Sequence, residues 1–189
     1  MRAPLLLALL LLQAPPSPGR ITPAGVVRAQ AVVDSVFLDR IMPEGAIEGG
    51  DWASYMMARL GVTPLPDSVG IEVTVDSQHI VFAGRIQDLP TEARARLGPL
   101  AALVDSSTVL NAEVVLLPAD PGLVHFQLRS VTIGMFPVPE MVLRSMLFDI
   151  GDRYPALTKS GRDLYVQVPT DGVVTLAPGA VRLRAERKS

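Results

Sequence analysis

Cysteine is absent from the 189-residue chain. That excludes a disulfide framework, a thiolate nucleophile, a zinc–thiolate site, an iron–sulfur cluster and a lipid-modified cysteine anchor. Histidine is scarce, with His79 and His125 the only two, so metal and acid–base chemistry is poorly provided for. Aromatic residues are few: one Trp, three Tyr and five Phe. Positive charge is not in excess either. Seventeen Lys and Arg against nineteen Asp and Glu give a net charge of −2, without the broad basic face that nucleic-acid binding requires. The longest apolar run, Ala3–Leu12, reaches only about 15 Å as a helix, half of a bilayer core.

What remains is 49% apolar and 19% charged, enough to bury one core of ordinary size. Met1-Arg2, the run Ala3–Leu12 and the turn-rich exit Gln13-Ala14-Pro15-Pro16 read as a secretory signal peptide over residues 1–20, which implies a periplasmic or secreted protein. Cleavage after Ala14 would leave a proline next, and Ala29-Gln30-Ala31 has the right form but lies far from the apolar run. Residues 21–31 continue a proline- and glycine-rich stretch and read as a linker. A single domain is expected over 32–189.

Within it the spacing predicts a helix over Val32–Ile41 and a second over Trp52–Leu60, capped by Asp51 and closed by Gly61. Trp52, Tyr55, Met56 and Leu60 form one apolar stripe of the second helix. From residue 69 the period changes to two. Strands are expected at Val69–Val75 and His79–Ile86, with Ile71, Val73 and Val75 on one face and Glu72 and Thr74 on the other. A helix follows over Pro90–Val104, kinked at Gly98-Pro99. Thr108–Leu117 and Leu123–Ile133 are long strands joined by the turn Pro118–Gly122, the second with one break in its alternation. Then come a proline-bracketed loop from Gly134, a helix from about Pro139, and short strands at Asp163–Val168, Val173–Ala177 and Ala180–Ala185. The fold class is α+β, a curved antiparallel meander wrapped around or packed on helices.

Chemistry-bearing motifs are missing. There is no G-x-S-x-G elbow, H-E-x-x-H, phosphate-binding glycine loop or calcium loop. His79 and His125 fall in or beside strands and read as surface or hydrogen-bonded residues. Asp149 and Asp152 flank Gly151 as helix-end aspartates do, and Ser106-Ser107-Thr108 is a turn into a strand. The chain is not expected to be an enzyme, to hold a metal or to need a cofactor.

The informative stretch runs from Phe126 to Tyr154. The loop Met135-Phe136-Pro137-Val138-Pro139 is apolar and stiffened by its prolines. The helix after it is apolar around most of its circumference, so it is either buried on several sides or meets another apolar phase. Phe136, Val138, Met141, Val142, Leu143 and Met146 are the candidate residues bordering an apolar, lipid-binding cavity. Methionine supplies adaptable surface there. Core packing of the same residues is the alternative.

The strand "LRSVTIG" running into "MFPVPEMVLRSML", with the "GRIQDLP" helix entry and the long hairpin before it, resembles the TULIP-type exported lipid-binding domains, in particular the LmeA-like phospholipid-binding proteins. The resemblance covers about residues 65–185. It implies a curved sheet around a helix, an apolar tunnel, and phospholipid or another long-chain amphiphile as the ligand. Two functions are therefore carried forward: a non-enzymatic carrier of such an amphiphile, and an envelope structural or protein-interaction domain with a filled core. Arg182, Arg184, Arg187 and Lys188 at the C-terminal end are candidates for contact with an anionic membrane surface, at about 1 kcal/mol each. The alternative there is a solvated basic tail.

Overall fold

The structure, a computed structural model, describes residues 17–61, 70–89, 94, 105–144, 147 and 161–186. The fold is α+β, and its strands pair antiparallel. Chain order is β1 (Gly19–Arg20), α1 (Pro23–Val33) continued by a π turn (Asp34–Leu38), β2 (Glu44–Glu48), α2 (Gly49–Arg59), β3 (Glu72–Val75) and β4 (His79–Arg85). After it come β5 (Val109–Leu117), β6 (Leu123–Ile133), β7 (Phe136–Pro137), β8 (Asp163–Gln167), β9 (Gly172–Ala177) and β10 (Ala180–Ala185). The large curved sheet has the order β1-β3-β4-β5-β6-β7, and β8 shares the outer edge of β6 with β7. A smaller sheet has the order β2-β10-β9.

From β3 onward the longer strands form where the period of two placed them, β3 starting at Glu72 with Val69 outside the described residues. By contrast, β1, β2 and β7 are strands where none was expected, β2 taking the stretch read as a turn after the first helix. Val73 and Val75 are buried, Glu72 is exposed and Ile71 packs on the same core, so the expected register of β3 holds. The break in β6 is a bulge: Glu113 pairs with Ser130 but Val114 with Leu128, which leaves Arg129 extra and exposed. That extra residue lets Phe126 and Leu128 face inward on one side of it and Ile133 stay buried on the other.

The N-terminal third departs from expectation. The stretch expected to be a linker over 21–31 is largely helix. Thr22, in an extended conformation, accepts a hydrogen bond from the Gly25 amide at 2.9 Å, and Pro23 takes the first helical position. Proline costs nothing there, since that N–H has no partner in any helix. The helix expected at Val32–Ile41 is thus the end of a longer one. It finishes in the π turn and then at Arg40, whose φ of 57° stops any helix. Arg40 is held there by a two-pronged pair with Asp171. Residues 19 and 20, expected to lie in the signal peptide, pair with β3. Asp51 is not a cap: α2 starts at Gly49, and the Asp51 carboxylate takes Arg28 Nε and Nη2 at 2.7 and 2.6 Å. Gly61, at φ 79°, closes α2 as expected. The helix expected at Pro90–Val104 lies outside the described residues, save Arg94.

One core joins the two helices to both sheets. Trp52, Met56, Ala29 and Val36 meet Val73, Ile80 and Phe126 of the large sheet and Val174, Val181 and Leu183 of the small one. The first eight residues of α2, Gly49–Met56, are all buried. Such enclosure requires small residues where chains cross. A Cβ on Gly25 would lie 2.7 Å from an Asp51 carboxylate oxygen, and one on Gly50 would run into the Arg20 backbone. Ser54 ties the crossing, donating to the Gly50 carbonyl at 2.7 Å and accepting from the Thr22 amide at 2.9 Å. Gly50→Ala is therefore expected to destabilise the protein by about 2–3 kcal/mol, as overpacking against backbone does. A lowered urea midpoint with an unchanged slope checks it.

Candidate functional site

The six candidate residues divide. Gly134, at φ 58°, turns β6 back on itself, so Phe136 pairs with Ile133 and Pro137 with Thr132. This short hairpin holds Met135 and Phe136 out, 90% and 70% exposed, with Met141 beside them in sequence at 82%. Val138 is anchored inward: its amide donates to the Val131 carbonyl at 2.9 Å, and its side chain is buried. Residues 140–144 are helical, and the Leu143 amide donates back to the Pro139 carbonyl at 3.0 Å. Val138 and Leu143 lie in a second core with Ile86, Ile133 and Leu147, and Val142 packs half-buried against it. Met146 lies outside the described residues. The candidate set thus supplies two exposed apolar side chains, Phe136 and Met141, and a packed cluster that holds Val138 and Leu143.

A concave apolar feature lies elsewhere among the described residues. Between α2 and the inner face of the large sheet is a cleft of about 200 Å³, walled by Trp52, Met56, Leu60, Phe82, Phe126 and Leu164, among others. Its walls follow from two periodicities. The α2 stripe faces the sheet at i, i+4 and i+8, and alternate strand residues meet it in rows: Phe126 pairs with Leu164, Val114 with Leu128 and with Ile80. Trp52 packs on Phe126 and on Tyr55 with ring centres 6.0 and 5.9 Å apart, which places its indole between the helix and the sheet. None of the described candidate residues is among its walls. The α2 stripe was legible as a buried face, but nothing in the sequence distinguishes a stripe that meets a cleft from one that meets side chains.

Both histidines are partnered, on surface-facing positions of the sheet. His125 Nε2 is 2.8 Å from Asp163 Oδ1, which also accepts from Gln127, and its ring stacks on Tyr165 at 4.3 Å. His79 lies 3.2 Å from Asp76 and 3.3 Å from Glu113. Burial pushes the Asp76 carboxyl up, but the Gln78 and His79 amides and the His79 ring outweigh it and hold it below its ordinary value. The Ser107 hydroxyl and amide likewise lower the Asp105 carboxyl, in the turn that leads into β5. These are turn-closing bonds, and among the described residues the polar partners of both histidine rings are carboxylates. Among the described residues no three His, Asp or Glu side chains are grouped to hold a metal. No described helix is long and apolar enough to cross a membrane. Arg182 and Arg184 are exposed two residues apart on one face of β10, and Arg184 pairs with Glu186. Arg187 and Lys188 lie outside the described residues, as do Asp149 and Asp152. No family model, curated protein or solved structure matches the chain.

The division of the candidate set is measurable. Leu143→Ala should cost about 2–4 kcal/mol, as for other buried leucines. Met141→Ala should stay within about 0.5 kcal/mol, as for surface changes. Thermal unfolding of the two variants checks both, and equal losses would mean that Met141 is not on a free surface.

Proposed function

We propose that the chain is a non-enzymatic, exported binding protein for a long-chain amphiphile, whose alkyl chain occupies the cleft between α2 and the large sheet. The observation that carries this reading is the cleft itself: aliphatic and aromatic walls, with Arg162 at its lining as the charged group. Mostly apolar walls with one or two polar groups are the usual form of a site for an apolar ligand. The size limits the ligand. At roughly 30 Å³ for each water-sized group, 200 Å³ takes on the order of seven methylenes. That volume fits one chain segment better than the paired chains of a phospholipid, so we read the ligand as a single-chain amphiphile in place of the phospholipid of the TULIP-type tunnel that the sequence resemblance implied.

Energetics add a second limit. About seven methylenes at about 0.8 kcal/mol each give roughly 6 kcal/mol, equivalent to about 40 micromolar, and the cost of association makes binding by the chain alone weaker than that. Tighter binding needs contacts to the polar head. The exposed Met135, Phe136 and Met141 suit delivery, because apolar side chains held out in solvent partition into a lipid interface. Arg182 and Arg184 would add attraction to an anionic surface. Under export, cleavage has to fall before Gly19, since a cut at Ala31 would remove β1 and most of α1.

A filled-core interaction domain is the second reading, favoured by the burial of Val138 and Leu143 in the second core. Solvent extraction of the purified, folded protein separates the two. The carrier reading expects a single-chain amphiphile at up to one per protein. Leu60→Glu, at the half-buried lip of the cleft, should then lower that yield at least about tenfold while the melting temperature moves by only a few degrees. Extracts free of amphiphile from protein re-exposed to membrane lipid would leave the interaction domain.

A further inference from the structure

Trp52 also walls a second cleft, of about 260 Å³, between the π turn, the middle of α2 and the end of β8. Phe37 and Val166 are among its apolar walls, and Asp34, Tyr55 and Arg59 bring polar groups to it. The π turn places both Asp34 and Phe37 on this cleft, and π segments inside helices concentrate at functional sites. Tyr55 is only 8% exposed, yet its hydroxyl makes no hydrogen bond among the described residues. Since no fully buried side-chain oxygen among the described residues lacks a partner, that hydroxyl keeps some access, and Tyr55 is one of the walls of this cleft. Burial pushes the phenol up, the Arg59 guanidinium pulls it down and the Asp34 carboxylate raises it again. Both charges therefore bear on the hydroxyl, which stays a donor at neutral pH. Arg59 and Asp34 do not pair with each other. Arg59 has no ion pair among the described residues, and Asp34 Oδ1 takes the Gln30 amide at 2.6 Å. A guanidinium and a carboxylate that face one cleft without meeting are complementary to a ligand that carries both charges.

We infer that this cleft binds the zwitterionic head of a single-chain amphiphile, its acid oxygens on Arg59 and the Tyr55 hydroxyl and its ammonium between Asp34 and the Trp52 and Tyr55 rings. A cation over such rings gains from their negative faces. The assignment rests on the amphiphile reading for the chain alone. Leu164 walls the chain cleft and Val166 the head cleft. Two residues apart on one face of β8, they lie about 7 Å from each other, so one molecule can span both sides of Trp52. The head contact also supplies the affinity that a short buried chain lacks.

Trp52 is the only tryptophan, so intrinsic emission reports both clefts. Three probes are titrated below any micelle concentration: decylphosphocholine, decanol with the same chain and no charged head, and glycerophosphocholine with the head and no chain. Decylphosphocholine should shift Trp52 emission at a concentration at least about tenfold below decanol, and glycerophosphocholine should respond at higher concentration. Arg59→Gln and Asp34→Asn should each abolish the tenfold preference and leave the decanol curve unchanged. Equal responses to decylphosphocholine and decanol, or a preference that survives both substitutions, overturn the head site and leave the chain cleft standing. A response to glycerophosphocholine with none to decanol removes the chain cleft and keeps the head site. Silence from all three probes overturns both.

Discussion

Everything in this fold is arranged around the burial of α2. A helix whose first eight residues are all covered has to be met on each side, and each side makes its own demand. On the side of α1 and β1 the backbones cross at glycine, so the chain needs Gly19, Gly25 and Gly50 where any side chain would collide. The carboxylate of Asp51, brought indoors by that crossing, needs a cation and finds Arg28 at 2.6 Å. Arg28 itself is largely exposed, so the pair adds little net stability, as exposed pairs do. Its removal would still be felt, because a buried carboxylate would be left uncompensated. The same crossing explains why β1, only two residues long, is held: the Thr22 amide and the Ser54 hydroxyl close the path behind it.

On the sheet side the demand is different, and function enters there. Trp52 is the largest side chain at the interface and packs on Phe126. It forms a bulky wedge between helix and sheet, and the chain cleft lies beside it along Met56 and Leu60. The second cleft flanks the same wedge, where the π turn of α1 reaches α2. A single tryptophan thus separates an apolar space from one with charges of both signs, a division that matches the two halves of an amphiphile.

Much of the fold was legible because strands and turns are local. The alternation in β3, the long β5–β6 hairpin, the bulge in β6 and the last three strands follow from period two and from glycine and proline positions. The N-terminal region misled for an equally physical reason. Proline and glycine in residues 15–30 mark a linker by composition, yet Pro23 stands where a helix tolerates it and Gly25 stands where two helices touch. Composition is blind to both. The candidate site was legible only in part. That 135–147 is apolar beyond the needs of a simple cover is plain from the sequence. Whether Val138 and Leu143 turn inward and Phe136 and Met141 outward is decided by the β6–β7 hairpin and by a partner cluster from Ile86 and Ile133, residues far away in the chain. The charged cleft was invisible for the same reason: Asp34 and Arg59 are twenty-five positions apart, and only the α1–α2 crossing brings them to one hydroxyl.

The central claim, that an alkyl chain lies against Trp52 in the cleft under α2, has a direct physical readout. A single-chain amphiphile brominated along its chain quenches indole emission only when the bromine lies in contact with the ring. The account predicts saturable quenching of Trp52 at one chain per protein, with loss of quenching in Leu60→Glu. Unquenched Trp52 emission from a protein that demonstrably retains the brominated chain would place the ligand elsewhere and contradict it.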